Sequence, residues 1–377
     1  MRFAFTDEQL QVEEMVRSLA RNEFAPGAAG IDEASRYPEE NMRKLAELGL
    51  LGMLYPAEYG GSEAGPISYG IAVREVAGGC ASTVVGMAVT NMVGEAIYRF
   101  GTEEQRRKYL PALASGKGAG AFGLTEPSAG SDASAIATTA VRDGDSFVLN
   151  GSKAFITNGS RACVTIVVAV TRKEPKKEIT AFLVEPGTPG FSTGKLEHKM
   201  GLKGSDTVSL AFDDCRIPKD SMLGAPGEGF RIAMSALDGG RIGISFQAIG
   251  IARAALETAV AYARERKQFG HPIAEFRAIQ WMLADAATEI EAARLLTLRA
   301  AYGKDRGHPV MREASMAKVF ATEAGNRACH KAVQVLGGYG YVRDYPVERH
   351  LRDIRVSTIY EGTSEIQRVV IARELLR

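Results

Sequence analysis

The sequence predicts an α+β protein of three consecutive domains: all-α over residues 1–117, β over 118–226 and a helical bundle over 227–377. Three observations carry this. The chain of 377 residues is long enough for two to three domains at roughly 150 residues each. Helix start signals and apolar periods of three and four occupy both ends. Between them lies a series of short β-type runs broken by Gly, Pro, Asn and Asp.

The first helix is signalled by a capping box, Thr6 with Gln9, ahead of an apolar stripe begun by Leu10, Met15 and Leu19. Thr102 with Gln105 repeats the device, and Pro111 limits how regular that later helix can be. Residues 76–94 carry no charged side chain and are long enough to be mistaken for a membrane span. Their glycines, with Ser82, Thr83, Thr90 and Asn91, predict instead a buried helix of a large core. In the middle region the runs 147–149, 154–156, 164–170, 179–184 and 208–212 have no helical pattern between them, which predicts an antiparallel sheet or barrel. Helical periodicity then returns. Phe276, Ile279, Leu283, Ala286, Ile290 and Ala293 share one helix face. Ala314, Ala317, Ala321, Ala324 and Ala328 form a seam of small side chains ending near Gly337-Gly338, so long helices can approach closely and build a bundle.

Lys plus Arg number 46 against 45 Asp plus Glu, and a net charge of +1 supports neither nucleic acid nor an anionic membrane as a partner. With 45% hydrophobic and 24% charged residues the chain is not disordered. Cys80, Cys163, Cys215 and Cys329 lack any C-x-x-C spacing and read as four buried thiols of a reducing compartment. The start, Met1 to Glu8, is charged early and has no apolar segment, so no secretory signal is expected. His198, His271, His308, His330 and His350 show no metal spacing and are expected to be structural. Gly118-Ala119-Gly120-Ala121-Phe122-Gly123 matches G-x-G-x-x-G, but Leu124-Thr125-Glu126-Pro127 follows in place of a helix start, so a dinucleotide-binding reading is rejected.

Three segments are too dense in turn-forming or hydroxyl residues for packing alone. They are Ala121-Phe122-Gly123-Leu124-Thr125-Glu126-Pro127-Ser128-Ala129-Gly130-Ser131-Asp132, then Lys153-Ala154-Phe155-Ile156-Thr157-Asn158-Gly159, and Ile359-Tyr360-Glu361-Gly362-Thr363-Ser364-Glu365-Ile366-Gln367-Arg368. Read alone, Glu361 is either a base in a dry site or a loop carboxylate at the start of the helix from Ser364. Asp238 and Arg241 alone also allow the plainer reading of an i, i+3 ion pair on a helix surface.

In order and spacing, these segments resemble the acyl-CoA dehydrogenase family over essentially the whole chain. The resemblance implies a helical N-terminal domain, a β-barrel-like middle domain and a C-terminal four-helix bundle, with FAD between the last two. It implies that Phe122, Leu124, Thr125 and Ser131 line the flavin, and that Thr363 and Glu365 complete that side. Phe155 would stack on the ring, where many members carry Trp, and Thr157 would reach its polar edge. Arg266 and Phe269, with Gln334, Gly337 and Gly338, resemble segments that hold the FAD adenosine diphosphate across a subunit interface, implying an oligomer, usually a homotetramer. Arg277 departs from the Gln that members commonly place at this cofactor end.

Glu361 matches the family's base, which takes an α-proton while the β-hydride passes to the flavin. Its own backbone amide and a flavin ribityl hydroxyl would polarise the thioester carbonyl. Some branched- and long-chain members place the base just before Arg241; here that position is Gly240. Asp238 and Arg241 match positions at the CoA end, and Ser131, Tyr360 and Gly362 match substrate-contacting ones. The implied activity is FAD-dependent α,β-dehydrogenation of an acyl-CoA to the trans-2-enoyl-CoA, with electrons passed to electron-transfer flavoprotein. Alternatives are an acyl-CoA oxidase, another flavin enzyme of the fold, or a DNA-associated non-dehydrogenase member; the last gains no support from a chain without a Lys/Arg block. In the family the acyl tail runs against the helix corresponding to residues 76–94. Its lack of Lys and Arg argues against a dicarboxylyl-CoA and for a short- or medium-chain, branched or cyclic acyl group. The expected location is cytoplasmic, or the mitochondrial matrix for a processed eukaryotic chain.

Overall fold

The computed structural model describes residues 4–377; the part of the leader reading that rests on Met1, Arg2 and Phe3 lies outside the described residues. α1 (Asp7–Leu19) opens on the expected capping box, with the Thr6 hydroxyl accepting from Gln9 N and the Gln9 side chain accepting from Thr6 N. A π segment, Ala20–Phe24, leads into α2 (Ala25–Ala34), followed by α3 (Glu39–Glu47). The uncharged stretch is not a single helix. α4 (Gly65–Gly79) and α5 (Ala81–Phe100) divide it at Cys80, whose backbone is extended (φ −148°, ψ 103°). The last residue before the break packs tightly: a Cβ on Gly79 would lie 2.5 Å from the Ala20 carbonyl oxygen, so only glycine fits where α4 meets the π segment. α6 (Glu103–Ala114) starts on the second capping box and keeps Pro111 in its last turn.

The middle domain contains β1 (Ala119–Gly123), β2 (Thr139–Asp143), β3 (Ser146–Thr157), β4 (Ala162–Arg172), β5 (Glu178–Val184), β6 (Phe191–Leu196), β7 (Thr207–Pro218) and β8 (Met222–Leu223). The strand order is β6-β7-β3-β2-β4-β5-β8, with β1 beside β4. The barrel-like domain is thus an open sheet with β6 and β8 at its edges. The G-x-G-x-x-G segment is β1 itself, and a turn follows it. Two expectations need correction. Pairing is not wholly antiparallel, because β1 runs parallel to β4 and one β2–β4 bridge is parallel; the β2–β3 hairpin supplies the crossover that parallel neighbours require. The runs 147–149 and 154–156 are one strand, β3, since a register shift at Gly151 (φ +141°) carries the chain past Thr138 without ending it.

α7 (Gly229–Glu265), α8 (Arg277–Asp305) and α9 (Met311–Leu336) form the bundle, joined by α10 (Gly338–Tyr341), α11 (Val347–Arg355) and α12 (Ser364–Leu375). All five seam alanines of α9 are buried, as are Ala248, Ala252 and Ala255 of the facing α7. A Cβ on Gly325 would lie 3.3 Å from the Ala248 carbonyl oxygen, which shows how closely the two backbones approach. On α8, Ala286 and Ala293 are buried, with Ile290 packed beside them. It is α7, not residues 76–94, that is long and apolar enough to cross a membrane, and 61% of its most apolar window is buried within the protein. Glu75 of α4, 1% exposed, ties α1 and α7 to its own helix through Arg17 (3.2 Å), Arg74 (2.7 Å) and Arg253 (2.5 Å). The four cysteines are unpaired; Cys163, which falls at the register shift where β1 joins β4, is only half-buried, whereas the other three are buried.

Candidate active site

Two cavities meet where the sheet faces the bundle. One, of about 210 Å³, is lined by Val89 and Met92 of α5, Phe122 and Leu124 at the end of β1, and Met234, Leu237 and Arg241 of α7. The other, of about 610 Å³, adds Lys199, Met200 and Leu202 from the β6–β7 connection and Arg352, Arg355 and Ile359 from α11 onward. Thr125, Ser131, Phe155, Thr157, Tyr360, Glu361 and Gly362 border both. Most of the predicted flavin and substrate residues are therefore brought to one place.

Buried charge holds the loop after β1. Lys153 of β3 is fully buried, and its Nζ reaches Glu126 Oε1 (2.7 Å) and the carbonyls of Val168 (2.7 Å) and Leu124 (3.2 Å). Glu126 also accepts from the backbone N–H groups of Ala137 (2.7 Å) and Thr138 (3.0 Å), so its charge is fully engaged. Farther along β3, Phe155 takes a left-handed conformation (φ +57°) and leaves 67% of its surface exposed on the cavity wall. Met200 and Ile359 are also more than half exposed there. The hydroxyls of Thr125, Ser131 and Thr157 find no hydrogen-bond partner among the described residues. An uncovered aromatic and apolar surface edged by free hydroxyls fits a flat heteroaromatic ring with polar edges, which is the chemistry of a flavin.

Glu361 stands between the two cavities in the left-handed region (φ +55°), followed by Gly362 at φ +85°. Gln367 Nε2 donates to both of their carbonyls (3.0 and 2.9 Å), and Lys318 Nζ donates to that of Gly362 (2.7 Å). Thr363 caps α12 by accepting from Ile366 N (3.3 Å). The residue is half-buried, but carboxylate oxygen Oε2 is sealed from solvent and has no hydrogen-bond partner. A Cβ on Gly240 would lie 2.4 Å from that oxygen, so the carboxyl group packs directly on the glycine of α7. Burial pushes the Glu361 carboxyl up to about 7, against the opposing pull of Arg241 and Lys318. Tyr360 donates to Gln247 Oε1 (2.9 Å) and closes the pocket behind it.

Other predicted residues lie elsewhere. Arg241 lines the smaller cavity, but Asp238 lines neither; the two form the i, i+3 ion pair (2.7 Å) that residue spacing alone allows. Arg266, Phe269, Gly337 and Gly338 line a separate cavity of about 620 Å³ at one end of the bundle, where Phe269 is 91% exposed and the Arg266 guanidinium sits 5.7 Å from the centre of the Tyr339 ring. Gln334 is exposed on the last turn of α9, and neither it nor Arg277 lines that cavity. Glu365 faces a polar cleft with Thr363, Arg327 and Arg355. The structure adds Lys153, Lys318 and Gln367, which sequence reasoning left without roles. Lys318 had a signal: it stands four residues after Ala314 and three before Ala321, a cation in a buried stripe.

A helical domain, a sheet and a bundle converging on a shielded carboxylate and an uncovered aromatic wall are the layout of a three-domain oxidoreductase. The acyl-CoA dehydrogenase N-terminal, middle and C-terminal domains match residues 6–117, 121–215 and 227–376. The chain belongs to the acyl-CoA dehydrogenase family, which is flavin-dependent. It is 49% identical to a probable acyl-CoA dehydrogenase, YngJ, of Bacillus subtilis over 380 residues covering 100% of both chains. It is 51% identical to the human mitochondrial short-chain specific acyl-CoA dehydrogenase over 363 residues, 96% of this chain and 88% of that one. The solved butyryl-CoA dehydrogenase of Megasphaera elsdenii superposes with a TM-score of 0.97 at 44% identity, covering 100% of both.

Proposed function

We propose that the protein catalyses FAD-dependent α,β-dehydrogenation of a short- or medium-chain acyl-CoA, straight, branched or cyclic, to the trans-2-enoyl-CoA. The observation that carries this is Glu361: a carboxyl raised to about 7 at the junction of a small apolar cavity and a larger one suited to a flavin. A base tuned to neutral pH is matched to an α-proton acidified by a polarised thioester. The Glu361 backbone N–H has no partner among the described residues and is free to polarise that carbonyl. Val89, Met92, Met234 and Leu237 give the acyl tail an apolar sleeve, and Arg241, the one cation lining it among the described residues, is already paired with Asp238. This favours an uncharged acyl end.

Phe155 would stack against the flavin, with Thr125, Ser131 and Thr157 along its polar edges. When bound, FAD supplies the acceptor for the β-hydride. The remote cavity at Arg266 and Gly337-Gly338 shares no residue with the Glu361 site, which supports its serving the cofactor of another subunit in a homotetramer. Electron-transfer flavoprotein is the proposed acceptor, and four unpaired cysteines suit the cytoplasm or mitochondrial matrix. Anaerobic flavin bleaching over a panel of acyl-CoA esters tests the reading. Bleaching by butyryl- to octanoyl-CoA is expected, and preference for glutaryl-CoA would overturn the substrate assignment.

A further inference from the structure

Lys318 is fully buried in the alanine seam of α9. Its Nζ meets a carbonyl oxygen, that of Gly362 (2.7 Å), and it forms no ion pair among the described residues. A buried ammonium without a contacting carboxylate is costly, and alanine-seam packing gives no reason to keep one there. The bond it makes is nevertheless specific. It falls on the second residue of the left-handed Glu361-Gly362 pair, whose two carbonyls are also held by Gln367.

We propose that Lys318 is a positioning residue for the base: through the Gly362 carbonyl it fixes the left-handed turn that aims the Glu361 carboxylate between the two cavities. This rests on Glu361 being the base. The same ammonium favours the ionised form of Glu361 from the α9 side, as Arg241 does from α7; Tyr69 of α4 and Tyr360 complete the titratable surroundings of the carboxylate. Burial pushes Lys318 down to about 8, with Arg241 adding to that and Glu361, Glu365 and Glu323 opposing it, so it stays mostly charged at neutral pH. Gln367 supplies hydrogen bonds without charge. The two side chains thus divide the work, one holding the turn and biasing the proton, the other only holding the turn.

The test compares the flavin-loaded wild-type enzyme with K318M, K318Q, Q367L and E361Q. Two readouts are taken: exchange of the butyryl-CoA α-hydrogen with D2O by mass spectrometry, and the pH profile of kcat/KM. K318M keeps the side-chain shape and removes the charge and donor; K318Q is measured in parallel so that an uncharged folded variant is available. The acid limb should move upward by on the order of one pH unit in the uncharged variants, cutting the ionised fraction of the base about fivefold at pH 7. Q367L should slow exchange with the limb in place. Exchange surviving in E361Q would remove the base reading itself. Exchange lost in E361Q but an unmoved limb in both Lys318 variants, even with a lowered melting temperature, would overturn the role given to Lys318 alone.

Discussion

At Glu361 three constraints meet in one residue: a left-handed backbone, a sealed carboxylate oxygen and a packed contact with Gly240. The raised carboxyl predicts that kcat/KM rises with pH through about 7 to a plateau, since only the ionised form accepts a proton. E361Q is isosteric, so it should retain bound flavin while losing substrate bleaching; full bleaching would refute the assignment. G240A is the complementary change. Its methyl group would stand 2.4 Å from Oε2 and must displace the carboxyl, so activity should fall on the order of a hundredfold with flavin content unchanged. Normal turnover in purified G240A would show that the base does not depend on this contact. The same crowding gives a physical reason why a base at 240 and one at 361 are alternatives: both would claim the space between α7 and the α12 loop.

Strand β3 shows how one element does two jobs. Its buried face presents Lys153 to the loop after β1, while its bent end turns Phe155 and Thr157 toward the bundle. K153M should leave Glu126 without its cation in a closed setting, costing roughly 3–5 kcal/mol. Urea unfolding should show that loss, and flavin should be washed out more readily, because the loop bearing Leu124, Thr125 and Ser131 loses its tether. A variant as stable as wild type would show that the Ala137 and Thr138 amides alone hold Glu126. That β3 is one strand was not visible in its two apolar runs, since Gly151 and the exposed 150–152 stretch interrupt the alternation that marks a strand.

Across the whole molecule, Glu75 links α1, α4 and α7 and so joins the N-terminal helices to the bundle. Burial pushes its carboxyl up, but Arg253, Arg74 and Arg17 outweigh that and hold it at about 2. A folded value below the unfolded one of about 4.3 means its stabilising effect is complete above roughly pH 5 and is lost as pH falls toward 2. The contribution is about 3 kcal/mol by that difference. E75Q should lower the melting temperature at neutral pH and flatten the acid limb of stability; an unchanged acid limb would locate the transition in other carboxylates.

The sequence by itself determined the helix starts at Thr6 and Thr102, the alanine seam, the α, β, α succession and the three segments that converge on the site. All are local patterns, of caps, of periods and of residues at short spacing, and they survive without knowledge of what they touch. Only the tertiary structure decided the break at Cys80, the parallel seat of β1 against β4, and the contact of Glu361 with Gly240. It also decided that Lys153 and Lys318 are buried partners of backbone carbonyls rather than surface charges. Each of these depends on the approach of residues far apart in the chain, where the burial that raises a carboxyl or strands an ammonium is set by packing, and no single stretch of sequence contains both sides of the contact.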